Sequence, residues 1–237
     1  MKSACLFTAA ASILLSFACN SNSEEKNDSK TTETPVSPET SAPASLTPYM
    51  VMLIQHRVGD FNKWLTDFNG HEAKRKDNGL SLLTLARGVD DSNMVYIRLK
   101  ADDRQKAIDF PFLDDTKEMM KKSGVSGPPM IYYMNVVRDE KPSTDLKERV
   151  IVSHHVKDFD VWLNAFDAKG KQVREANALI DRTIARDLGD PNVVYIVFDV
   201  IDHEKAKARI TSLEVKTFMA EAGVDGNLEV HFYRLVN

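Results

Sequence analysis

Two copies of one pattern occupy most of this chain. The stretch H-R-V-G-D-F-N-K-W that begins at His56 returns as H-H-V-K-D-F-D-V-W from His154, and N-M-V-Y-I from Asn93 returns as N-V-V-Y-I from Asn192. An offset of about a hundred residues is the size of a small domain and not of a solenoid repeat. The sequence therefore predicts two copies of one small fold, packed against each other as an internal pseudo-dimer.

The first helix of each copy carries the clearest pattern. Asp60 and Asp158 stand at N-cap positions, after apolar runs that predict a strand. Apolar residues then follow at i, i+3, i+4 and i+7, a spacing that places them on one helical face: Phe61, Trp64, Leu65 and Phe68 in the first copy, and Phe159, Trp162, Leu163 and Phe166 in the second. The spacing predicts that both tryptophans pack between helix and sheet instead of stacking on a ligand.

The remainder of each copy predicts two strands, a second helix and a last strand. In the first copy the two strands are expected at 82–89 and 94–100, joined by a polar turn. The second helix is expected to begin near Asp102 or Asp202, and Pro111 should kink it in the first copy only. The first helix is expected to continue without a break almost to the second strand.

The order β-α-β-β-α-β is that of a ferredoxin-like unit, whose helices cover one face of its sheet. The uncovered apolar faces of the two copies are expected to meet. The predicted fold class is therefore α+β, with two ferredoxin-like repeats that form one pseudo-dimeric, eight-stranded α+β barrel.

The motifs H-x-V-x-D-[FY]-x-x-W, R-x-x-x-D-x-N-x-V and [AS]-G-V-x-G resemble those of the dimeric α+β barrel superfamily, over 50–137 and 150–235. The superfamily includes antibiotic-biosynthesis-type monooxygenases, haem-degrading oxygenases and many short uncharacterised proteins, and the resemblance is nearest to this last group. It implies the barrel fold. One fold hosts many chemistries, so the resemblance leaves the function open.

The first residues resemble a bacterial lipoprotein signal peptide at 1–18. A basic start and an apolar run at 4–17, too short to span a bilayer, lead to Ala18-Cys19. The resemblance implies cleavage before Cys19 and attachment of lipid (palmitate among the acyl chains) to it; an ordinary secretory signal is the alternative. The other cysteine, Cys5, lies in the segment that would be removed, which excludes an internal disulfide and a cysteine metal cluster.

A polar segment separates this leader from the repeats. Residues 19–48 are rich in Ser, Thr, Glu, Lys and Pro, so we expect a disordered tether. Ser23-Glu24-Glu25 resembles the acidic export signal of surface lipoproteins in Bacteroidetes-type bacteria. The expected location is the bacterial cell envelope, anchored by lipid to the outer membrane with exposure at the cell surface. The first repeat is assigned to 49–138, a linker to 139–148 and the second repeat to 149–237.

Charge and motifs exclude several classes of function. The formal net charge is −4 and no basic cluster occurs, which argues against nucleic acid as a partner. The chain carries no P-loop, dinucleotide glycine pattern, nucleophile elbow or metal-binding histidine pair. No metal site and no cofactor are predicted; haem is the one cofactor that the resemblance implies.

Histidines and tyrosines at matched positions are the candidates for a ligand pocket inside the barrel. His56 and His154 lie near the end of the first strand, where an imidazole could act as a general base or bind haem; the alternative is a histidine hydrogen-bonded at a strand end. Tyr96 and Tyr195 are expected to face the barrel interior, because alternate residues on their strand are more apolar. The full set of candidates is His56, His154, Tyr96, Tyr195, Arg98, Tyr132 and His231.

Three functional hypotheses follow. The favoured one is a lipid-anchored envelope protein that binds a small apolar molecule or has a non-catalytic role. The second is a cofactor-independent or haem-handling monooxygenase-like enzyme, in which His56 or His154 acts with Tyr96 or Tyr195. The third is a cell-surface interaction module that uses the outer helices. A packed barrel interior is slightly favoured over a hollow one, because small eight-stranded barrels are commonly filled by side chains.

Overall fold

A computed structural model describes residues 47–236, which form one closed eight-stranded barrel with helices on its outside. The predicted α+β fold with two ferredoxin-like repeats is thereby confirmed. The predicted signal peptide, Cys19 and nearly all of the predicted tether lie outside the described residues. No helix within 47–236 combines the length and the apolar character needed to cross a membrane.

Both copies follow the order β-α-β-β-α-β, with each helical connection divided in two. The first copy consists of β1 (Tyr49–Val58), α1 (Phe61–Gly70), α2 (Glu72–Asp77), β2 (Leu80–Gly88), β3 (Met94–Ala101), α3 (Arg104–Asp109), a 3₁₀ turn (Phe110–Phe112), α4 (Asp114–Lys122) and β4 (Val125–Asp139). The second consists of β5 (Glu148–Val156), α5 (Phe159–Lys169), α6 (Lys171–Glu175), β6 (Leu179–Asp187), β7 (Val193–Val200), α7 (His203–Ile210), α8 (Leu213–Glu221) and β8 (Val224–Leu235).

The barrel has the strand order β1-β3-β2-β8-β5-β7-β6-β4, and β4 pairs with β1 to close it. The copies meet at two antiparallel seams of unequal length. β4 pairs with β6 from Met134 to Asp139, whereas β2 pairs with β8 only from Ala86 to Gly88. The barrel is therefore less regular than a symmetric dimer of two identical chains.

Three apolar cores result from this arrangement. Two lie between the sheet and the helices of one copy each, and both tryptophans are 1% exposed there, as predicted. The third is the barrel interior, to which both copies contribute: Val51, Leu53, Ala86, Tyr96, Met134 and Val136 from the first, and Ile151, Ala185, Tyr195, Val197 and Tyr233 from the second. Each of these residues is buried, so the interior is packed, as the sequence favoured.

The helices differ from prediction in their continuity. Asp60 and Asp158 cap α1 and α5, since each carboxylate accepts a hydrogen bond from a backbone N–H three residues on. The helical segment after the first strand of each copy, expected to be continuous, is divided into α1 and α2 in the first copy and into α5 and α6 in the second. The break in the second copy falls at Gly170, whose φ is 86°. The helical segment before the last strand was expected to be interrupted only in the first copy, at Pro111, but it is divided in both copies. In the second copy the hydroxyl of Ser212 caps the start of α8 and so separates it from α7.

Candidate functional site

His56 and His154 point away from the barrel interior, so their predicted place in an interior pocket is wrong. In the antiparallel register His56 lies opposite Val95 and His154 opposite Val194, and directly opposed residues share one face of the sheet. Both valines belong to the cores beneath the helices. The two imidazoles therefore lie in the layer between sheet and helices.

Each imidazole packs against the tryptophan of its own copy. The ring centroids of His56 and Trp64 are 5.5 Å apart at 66°, and those of His154 and Trp162 are 5.5 Å apart at 62°. These edge-to-face contacts place each histidine ring against the apolar stripe of the helix that follows its strand. In the second copy Trp162 also stacks on Phe166 of that stripe, at 5.2 Å. The duplicated sequence thus builds the same histidine environment twice.

Both histidines are buried, with 5% and 3% of their surface exposed, yet none of their ring nitrogens has a hydrogen-bond partner within the described residues. The expected hydrogen-bonded histidine at a strand end is therefore not observed. Burial lowers the pKa of His56 and of His154 from 6.5 to about 4, so both rings are neutral at neutral pH. A neutral imidazole offers one donor and one acceptor.

A cavity adjoins each histidine, and the two cavities differ in size. The cavity beside His154 has a volume of about 80 Å³, and that beside His56 about 30 Å³. Besides His154, the larger one is lined mainly by apolar side chains from the sheet and from α5 to α8: Val152, Trp162, Phe166, Val173, Leu179, Ile196, Phe198, Ile210, Val215, Phe218 and Met219. The second copy therefore offers the roomier site.

Two of the exchanges between the copies change the polarity of the cavity walls. Counted back from the glycines that end α4 and α8, Thr116 corresponds to Val215 and Phe110 to Arg209. The Thr116 hydroxyl is buried without a partner among the described residues, whereas Val215 presents only methyl groups. Phe110 is 4% exposed and fills space beside the smaller cavity. Arg209 instead leaves the apolar layer to form ion pairs.

Charged residues border the entrance of the larger cavity. Lys169 and Arg209 line it, and Glu214 pairs with both. The Lys169 Nζ lies 3.1 Å from Glu214 Oε1, and an Arg209 guanidinium nitrogen lies 2.9 Å from the same oxygen. These two cations hold the pKa of Glu214 at about 2, first through the Arg209 hydrogen bond and then through that of Lys169. We call these three residues the entrance cluster.

A buried arginine supports each cavity from the side. The guanidinium of Arg174 lies 3.8 Å from the ring centroid of Phe166 and 2.6 Å from a carboxylate oxygen of Asp181. Arg75 lies at the same distance from Phe68, but the position equivalent to Asp181 is Leu82. Sequence reasoning missed these arginines and the entrance cluster. A position-by-position comparison of the copies would have singled out Arg209 and Val215 as departures from the repeat.

The other predicted site residues lie together inside the barrel, on the opposite face of the sheet from the histidines. Tyr96 stacks on Tyr233 at 5.3 Å and lies 6.0 Å from His231, while Tyr132 meets Tyr195 edge to face at 5.9 Å. Burial raises the pKa of Tyr96 to about 12, so its hydroxyl stays protonated at neutral pH. Predicted pairing of His56 or His154 with Tyr96 or Tyr195 is therefore wrong, because the sheet separates them.

Arg98, the last of the predicted site residues, is also buried in the barrel interior. Nearby, Asp199 is fully buried and accepts hydrogen bonds from Arg149 at 3.0 Å, from Arg182 and from Thr144 at 2.8 Å. The cluster ties the chain between the two copies to the strands of the second copy. Its carboxylate is fully engaged within the protein, which indicates a structural role.

Similarity to solved structures extends over the whole barrel at low sequence identity. A proposed monooxygenase from Lactobacillus acidophilus NCFM matches with a TM-score of 0.51 and 11% identity, covering 81% of this chain and 94% of that one. An anthrone oxidase-like protein matches with a TM-score of 0.52 and 15% identity over 80% and 92%. A proposed chlorite dismutase matches with a TM-score of 0.51 and 13% identity over 80% and 96%.

No protein-family model and no curated protein matches this chain. The similarities to solved structures therefore concern the arrangement of strands and helices. The chain has the ferredoxin-like, dimeric α+β barrel fold, with both halves of the barrel carried by one polypeptide.

Proposed function

We propose that this protein binds a small, mostly apolar molecule in the cavity beside His154. The observation that carries the proposal is a buried, neutral imidazole that has no hydrogen-bond partner among the described residues and borders an apolar cavity. A buried polar group without a partner costs about 1–3 kcal/mol. A ligand with a hydroxyl or carbonyl group would recover part of that cost, while its apolar part would contact the cavity walls.

The volume of the cavity limits the ligand. About 80 Å³ is roughly half of the ~150 Å³ that encloses a benzene molecule, so the cavity would receive one edge of a ring or a short alkyl group. The remainder of the ligand would lie at the entrance between the helices. Haem does not fit this cavity, because sites for ligands of that size occupy at least ~300 Å³. We therefore propose no chemistry through haem.

Binding is favoured over catalysis by the arrangement of the polar groups. The enzyme hypothesis required a histidine and a tyrosine acting on one molecule, and the sheet separates these residues. The proposed role is therefore recognition of a small molecule.

The two tryptophans provide a direct test, because the chain contains one in each cavity wall. Protein labelled with 5-fluorotryptophan should give two ¹⁹F resonances, assigned with Trp64→Phe and Trp162→Phe. Titration with phenol is expected to shift the Trp162 resonance and leave the Trp64 resonance in place. His154→Phe should abolish the shift, and the matched control His56→Phe should not.

Two results would contradict the proposal. One is the absence of any phenol-dependent shift of Trp162 that saturates. The other is a haem titration that produces a Soret band lost in His154→Ala, which would show that the helices part far enough for a tetrapyrrole and that the volume argument is wrong.

We further propose that a lipid on Cys19 attaches the chain to the bacterial cell envelope. The support is the basic and apolar leader that ends in Ala18-Cys19. Cys19→Ala is expected to move the protein from the membrane fraction to the soluble fraction, and globomycin should block processing of the natural sequence. Cys5→Ala is the matched control and should leave both unchanged. A Cys19→Ala protein that stays with the membrane would disprove the anchor.

A further inference from the structure

We propose that the ligand of the His154 cavity is an apolar monoanion, whose charged group is bound by Lys169 and Arg209 at the entrance. The inference rests on the proposed function and names the chemical class of the ligand. It is carried by the position and the charge of the entrance cluster, together with the contrast between the two copies.

The entrance cluster carries one net positive charge, since two cations share the single carboxylate of Glu214. The cations are the members that border the cavity. The side chains of Lys169 and Arg209 are 34% and 14% exposed, whereas that of Glu214 is 58% exposed and approaches them from solvent. Positive charge therefore lies on the cavity side of the cluster and the compensating carboxylate on its outer side.

The donors of the cluster exceed what Glu214 can use. A guanidinium has five N–H donors and an ammonium has three, and each of them can donate a hydrogen bond. Glu214 offers two oxygens, and both are already engaged. An anionic group that enters from the cavity side would meet N–H donors that have no acceptor within residues 47–236, at partly desolvated positions where charge-assisted hydrogen bonds are strongest.

The first copy provides the contrast. Phe110 occupies the position of Arg209 and is buried against the smaller cavity. An aromatic ring at this position closes the apolar layer and needs no charge. The second copy instead has a larger cavity with a cation at its edge. These two features suit an amphipathic anion, whose apolar body would lie in the cavity and whose charged group would lie at the edge.

The opposite ends of the cavity then select different parts of one molecule. Neutral His154 lies at the sheet, among apolar walls, where burying a ligand charge would be costly. The entrance cluster lies at the helix surface, between α5, α7 and α8. The geometry thus assigns the apolar body of the ligand, with its uncharged hydroxyl or carbonyl group beside His154, to the depth of the cavity and the anionic group to the entrance.

4-Hydroxyphenylacetate and 4-hydroxyphenylacetamide form a matched pair of probes, because they share size, shape and an uncharged hydroxyl that His154 can bind, and they differ in charge. With full-length protein at low ionic strength, the acetate is expected to bind about tenfold more tightly than the acetamide, measured by the ¹⁹F shift of Trp162. Arg209→Gln should remove this preference by weakening the binding of the acetate. Glu214→Gln should strengthen binding of the acetate about threefold, because it removes the competing carboxylate.

Lys205→Gln is the control, since it removes an exposed charge from the same helix at a residue that does not line the cavity. Lys205→Gln should change the two affinities only through the altered net charge of the protein, and this small change should disappear at high salt. Equal affinities for the two probes, with no response to Arg209→Gln, would overturn the inference while leaving the proposed cavity intact. Failure of both probes to shift Trp162 would instead overturn the proposed function.

Discussion

Mild acid should destabilise this protein through His56 and His154. In the folded protein burial lowers both pKa values to about 4, and in the unfolded chain they return to the ordinary 6.5. Between these values the unfolded state binds more protons than the folded state, so the free energy of unfolding rises with pH. The stabilisation is complete above the unfolded pKa and is lost as the pH falls towards 4.

The expected size of the effect follows from the two pKa values. One pKa unit corresponds to about 1.4 kcal/mol, so each histidine costs at most about 3 kcal/mol below pH 4. At about pH 5 the loss is roughly 2 kcal/mol for each histidine, and therefore about 4 kcal/mol for both. A loss of this size is a large fraction of the stability of an ordinary domain.

Urea unfolding monitored by tryptophan fluorescence at about pH 7.5 and about pH 5 measures this loss. Carboxylates also titrate in this range, so the informative quantity is the difference from a His56→Phe/His154→Phe variant. That variant should lose about 4 kcal/mol less than the natural sequence between the two pH values. Equal losses in the two proteins would refute the reasoning, because they would show that neither imidazole is held neutral by burial.

Three further substitutions test the supports of the fold. Asp199→Asn should lower the free energy of unfolding by about 3–5 kcal/mol, because it leaves the buried guanidinium of Arg149 and the partly buried one of Arg182 without a charged partner; Asp225→Asn, at an exposed pair, should cost under ~1 kcal/mol in the same urea titration. Asp158→Ala should cost about 1 kcal/mol through loss of the N-cap, with no change in m-value. Gly170→Ala should cost about 1–3 kcal/mol by calorimetry, because its φ of 86° and ψ of 142° suit only glycine, whereas Gly70→Ala should not destabilise.

Most of the architecture could be predicted from the sequence because local patterns determine it. The helix stripe and the N-cap aspartates specify where the first helix begins and which face it buries. Alternation along β3 also placed Tyr96 on the correct side, since one face of that strand is clearly more apolar than the other. The helix breaks were missed because Ser212 and Gly170 act through a capping hydroxyl and a positive φ, which require no change in hydrophobic periodicity.

The side of the sheet on which His56 lies could not be determined in the same way. Both faces of β1 are apolar through most of its length, as expected for a strand packed on two sides. The deciding observation is the pairing of His56 with Val95, and β1 and β3 are not consecutive strands. No turn sets their register, and a shift of one residue moves every side chain to the other face.

The two copies diverge under different constraints inside and outside the barrel. Residues of both copies fill the interior, so an exchange there must be compensated by its neighbours: the second copy has Arg149 and Asp199 where the first has Val51 and Lys100, and the two exchanges satisfy each other as a buried ion pair. Beneath the helices each copy packs mainly against itself, so its core can change without the other. The exchange of Phe110 for Arg209 places a cation beside the cavity of the second copy and gives that cavity a charged entrance. Asymmetry that the fold does not require is therefore found beside His154, where the ligand is proposed to bind.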